Sequence, residues 1–61
     1  MQTTDYMDKE VYELVERERE LAVSDREWKH RLRGYGYAIR DYREGTFVTP
    51  LHGLKRLVRL N

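Results

Sequence analysis

Sixty-one residues without a cysteine set the expectation of one small domain, 1–61, with no disulfide and no thiolate metal site. A domain of this length buries only about 60% of the surface of its unfolded chain, which leaves little room for a deep catalytic cleft. More than a third of the residues are charged, the formal net charge is +1, and no apolar run reaches the roughly 18 residues of a membrane span.

The near balance of charge conceals a division along the chain. Residues 1–25 hold eight acidic side chains against three basic ones, leaving −5, and residues 26–61 hold nine basic against three acidic, leaving +6. Such asymmetry suits a nucleic acid or another acidic partner. It equally suits compensation within the fold or across a homodimer. The N-terminus has no apolar signal-peptide segment, so a cytoplasmic protein with no membrane partner is expected.

In chain order, the spacing of Met7, Val11, Leu14, Val15, Leu21 and Ala22 predicts an amphipathic helix from residue 5 to about 22. Glu18 interrupts its stripe, and Thr3, Thr4 or Asp5 is the expected cap. The dense Arg/Glu run from Glu16 to Glu20 is simplest as a solvated face. Ser24-Asp25-Arg26-Glu27 has the form of a capping box, so a second helix to about Arg33 would bury Trp28 and Leu32 one turn apart. A single bent helix over 5–33 is the alternative. Gly34 and Gly36 end the helical part, because glycine takes the left-handed C-cap geometry without a Cβ clash.

Aromatic and β-branched residues then flank Arg43-Glu44-Gly45, which predicts a β-hairpin over 37–51 with Gly45 at positive φ. Pairing Tyr42 with Thr46 would set Ile39 opposite Thr49 and place Tyr37, Ile39, Phe47 and Leu51 on a shared core face. Residues 54–60 read as a third strand with Leu54, Val58 and Leu60 facing the core, or as a short helix opened by Thr49 and Pro50. The fold class is therefore α+β, with one or two N-terminal helices packed on a two- or three-stranded antiparallel sheet.

Chemistry-bearing groups are sparse. Ser24 is the only serine, and it occupies a cap position. His30 and His52 fall in different elements without metal-ligand spacing. Gly34-x-Gly36 lacks the preceding strand of a phosphate-binding loop. No enzymatic activity, cofactor or metal is expected. The candidate site is instead a set of cations, Arg26, Lys29, Arg31 and Arg33 on the second helix and Arg40 and Arg43 on the hairpin, with Tyr35, Tyr37 and Tyr42 among them. Guanidinium groups interleaved with aromatic rings can bind phosphates and stack on bases.

Val23-Ser24-x-x-x-Trp28-x-x-x-Leu32 resembles the start of a helix-turn-helix recognition helix. Gly36-Tyr37-Ala38-Ile39-Arg40 and Gly45-Thr46-Phe47-Val48 resemble the wing of GntR-type winged-helix repressors. Glu18-Arg19-Glu20-Leu21-Ala22 is similar to the helix before the turn in that family. The resemblance covers residues 18–49, although the stretch between Ala22 and Val23 and the helix after Leu32 are shorter than in the family. It implies a DNA-binding regulator in which residues 25–33 approach the major groove and the 43–45 tip reaches toward the backbone. A small protein-interaction module, an inhibitor or adaptor acting through the acidic helix or a sheet edge, is the alternative function.

Overall fold

The computed structural model describes residues 7–61. Two helices, α1 (Lys9–Leu21) and α2 (Asp25–Gly34), precede three strands, β1 (Tyr37–Tyr42), β2 (Gly45–Pro50) and β3 (Val58–Arg59). The strands form one antiparallel sheet in the order β1-β2-β3, and the helices pack on one of its faces. This is the expected α+β arrangement, with two helices rather than one and three strands rather than two. No helix among the described residues is long and apolar enough to cross a membrane.

The first helix starts later than its apolar periodicity suggests. Asp8 caps it, its carboxylate accepting from the Val11 N–H at 3.2 Å; the expected caps Thr3, Thr4 and Asp5 lie outside the described residues. Val11, Val15 and Glu18 are buried at spacings of four and three, so they form the inward stripe. Met7 and Leu21, expected on that stripe, are more than half exposed. Ala22 and Ser24 adopt extended backbone, which breaks the helical run in two.

Ser24 then caps α2 by accepting from the Glu27 N–H at 3.1 Å. The Glu27 carboxylate accepts from the Val23 N–H at 2.6 Å, one residue before the partner of a standard capping box. Trp28 and Leu32 are buried as expected. The helix stops at Tyr35, and Gly36 supplies the left-handed turn at φ +95°. Gly34 is simply the last helical residue.

In the hairpin, Gly45 has the expected positive φ, +144°, but it pairs with Tyr42. The loop is therefore two residues, Arg43 and Glu44, and the register differs by one from the predicted pairing. A one-residue slip changes which residues share a face. Ile39 now opposes Val48, and Arg40 opposes Phe47. Ile39 and Val48 face the helices, whereas Phe47 lies on the opposite face and not beside Ile39 as expected.

The third strand is also shorter than the predicted 54–60. Thr46 and Val48 accept from the Leu60 and Leu57 N–H groups, so the even-numbered residues of β2 point toward β3. Pro50 is the next of them and has no N–H to donate. The chain turns away after it, and Leu54, expected in the core, is 74% exposed. Beyond β3, Met7 bridges to Val58 and the Asp8 N–H donates to the Leu57 carbonyl at 2.9 Å.

The core between helices and sheet is Val11, Val15, Trp28, Leu32, Val48 and Val58, with Ala22, Tyr37, Ile39, Leu57 and Leu60 packed around it. On the outer face Phe47 is fully buried. Tyr42 meets it edge-on at 5.7 Å, and the guanidinium groups of Arg56 and Arg59 stand 4.8 and 5.6 Å from its ring.

Candidate nucleic-acid interface

α2 divides its cations between two flanks because Trp28 and Leu32 fix which side faces the core. Arg26, Lys29, His30 and Arg33 recur at spacings of three, four and seven, which puts them on one stripe. That stripe and residues Ala38 and Ile39 of β1 line a groove of about 330 Å³. The lining contains no Asp or Glu. Among the described residues, none of these four side chains takes part in an ion pair or side-chain hydrogen bond.

Arg31 projects from the other flank, toward α1. Its Nε donates to the Glu18 carboxylate at 2.7 Å. The Tyr35 hydroxyl donates to the second Glu18 oxygen at 3.3 Å. Glu18 is only 3% exposed, so it is an interior anchor between the helices and not part of a solvated Arg/Glu face. Trp28 completes the tie, its indole N–H donating to the Val15 carbonyl at 2.9 Å while the Arg19 guanidinium lies 4.6 Å over its ring.

Arg40 is likewise engaged inside the fold. Its Nε donates to Thr49 Oγ1 at 2.9 Å and its Nη2 to the Leu51 carbonyl at 3.1 Å. Arg43 is exposed at the hairpin tip and makes no ion pair among the described residues. It lies four positions beyond Ile39, roughly 13 Å at the usual rise. Thus, of the six cations singled out from the sequence, Arg26, Lys29 and Arg33 converge, Arg43 stands apart, and Arg31 and Arg40 are each tied to acceptors within the fold.

His30 belongs with the converging set although the sequence reading gave it no role. The signal available was its position one residue after Lys29 and four after Arg26. The second wall of the groove was not legible at all. β1 is an edge strand, and the Leu51 N–H donates to the Gly36 carbonyl at 2.8 Å. By the alternation of an antiparallel ladder, Ala38, Arg40 and Tyr42 also turn their main-chain groups toward β2. The N–H and C=O of Ile39 and Asp41 therefore point outward.

A neighbouring hollow of about 370 Å³ shares Lys29 and Ile39 with the groove but is also lined by Asp25 and Asp41. Those carboxylates make it a poor anion site and set the limit of the basic region toward the hairpin tip. Compared with family models, curated proteins and solved structures, the chain matches none.

Proposed function

We propose that this protein is a small, non-enzymatic regulatory module that binds nucleic acid through the groove between α2 and β1. The observation that carries this reading is the convergence of Arg26, Lys29 and Arg33 on an acid-free groove with no competing partner among the described residues. Unpaired cations in a shared concavity suit the phosphates of a nucleic-acid backbone. Arg43 extends the footprint for a longer ligand. Arg31 and Arg40 are left out of the interface because each guanidinium is already anchored within the fold, Arg31 on Glu18 and Arg40 on Thr49 and Leu51.

Salt titration tests the reading. Affinity should fall with rising salt, with a log–log slope near −0.9 per neutralised phosphate on a duplex and about −0.7 on a single strand. Lys29→Ala with Arg33→Ala should make the slope shallower by about two phosphate equivalents, whereas Lys9→Ala on α1 should leave it unchanged. Absence of binding to any nucleic acid at low salt, with the protein folded, would reject the function.

The second reading is a protein-interaction module, favoured by the open edge of β1. A partner strand added there would meet Arg26, Lys29 and Arg33 and would have to be acidic. Self-pairing of two β1 edges is disfavoured, since it would bring two sets of these cations together.

A further inference from the structure

The geometry points to a single strand of nucleic acid, with unpaired bases, as the ligand of the groove; this rests on the nucleic-acid reading above and narrows it. Arg26 and Arg33 stand seven positions apart on α2 with Lys29 between them, about 10 Å along its axis. A row of that length serves consecutive phosphates of one strand. The opposite wall is the open edge of β1, where Ile39 presents a main-chain N–H and C=O. Such a donor–acceptor pair complements the Watson–Crick edge of a base, which is free only when the base is unpaired. His30, on the α2 wall of the groove, supplies a ring on which a base can stack.

A duplex fits this site less well. To enter a major groove about 12 Å wide, a helix needs other backbone kept clear of its reading face. Here the cation stripe of α2 opens onto β1, so the charges line a cleft and do not crown a convex surface. The bases of a duplex are also paired, which leaves the main-chain groups of Ile39 without their partner.

The experiment is equilibrium binding by fluorescence anisotropy. One mixed sequence of about a dozen nucleotides is offered as single-stranded RNA, as single-stranded DNA and as the annealed DNA duplex at the same salt. Either single strand should bind roughly tenfold or more tightly than the duplex, and the two arms show whether the ribose hydroxyl contributes. His30→Ala should weaken single-strand binding by roughly fivefold or more, the size of one base–aromatic stack. The chain is short enough for total synthesis, so an ester in place of the Ala38–Ile39 amide can delete the Ile39 N–H while keeping its side chain. That ester should weaken the single strand and leave the duplex unaffected, with thermal melting showing both variants folded. Equal or tighter binding of the duplex would overturn the inference and leave the nucleic-acid function standing. Displacement of the oligonucleotide by polyglutamate at equal charge would overturn it in favour of an acidic peptide. Failure of every nucleic acid to bind would remove the function and the inference together.

Discussion

Gly45 meets two demands that no other residue type meets. Its φ of +144° lies where L side chains are strained, and a Cβ built there would run into the Asn61 backbone carbonyl. The Asn61 side chain accepts from the neighbouring Thr46 N–H at 3.1 Å, so Asn61 is held against the hairpin and has little room to yield. Gly45→Val should therefore destabilise the domain by more than the roughly 1–3 kcal/mol of backbone strain alone. Urea unfolding measures this directly, and an unchanged midpoint would show that the turn does not have this geometry.

Glu18 and Arg31 join the two helices, and their roles follow from burial. The carboxylate lies inside the fold and accepts from both Arg31 and Tyr35, while about a third of the Arg31 side chain remains exposed. Removing one partner of a buried ion pair leaves a buried charge uncompensated, at a cost of about 3–5 kcal/mol. The exposure of Arg31 places Arg31→Ala at the lower end of that range. Its melting temperature should fall, but the salt slope for nucleic acid should stay that of the parent protein, because Arg31 is directed away from the groove. A slope that became shallower would put Arg31 back among the phosphate contacts.

The domain as a whole uses both faces of a three-stranded sheet, which a chain of 61 residues needs because its helix-side core is small. Among the described residues, no helix covers the outer face. Phe47 is covered there by Tyr42, Arg56 and Arg59, with Arg56 4.0 Å over the Tyr42 ring and paired with Glu44 at 3.5 Å. Arginine acts here partly through its flat guanidinium and apolar stem. Arg56→Ala should cost about 1–2 kcal/mol, the upper range of a partly desolvated cation–π contact. Arg56→Lys should recover only part of that, since an ammonium cannot lie flat on two rings. A urea midpoint unmoved by either substitution would show that the outer face is held by other contacts.

Local chemistry was enough to read much of this protein from its residues. The Ser24 cap, the buried Trp28–Leu32 pair, the left-handed glycine at 36 and the positive φ of Gly45 all depend on neighbours within a few positions. So does the cation stripe, because Arg26, Lys29 and Arg33 share a helix face by spacing alone. The tertiary structure decided what depends on contacts distant in sequence. The hairpin register follows from where Gly45 finds its pair, and it moved Phe47 away from Ile39. The shortness of β3 follows from the side of β2 on which Pro50 lacks its donor. Glu18 became an anchor only because Arg31 and Tyr35, 13 and 17 positions later, fold back onto it. The groove itself needed β1 beside α2, and periodicity along one chain segment carries no information about which edge of a distant sheet will stand across from it.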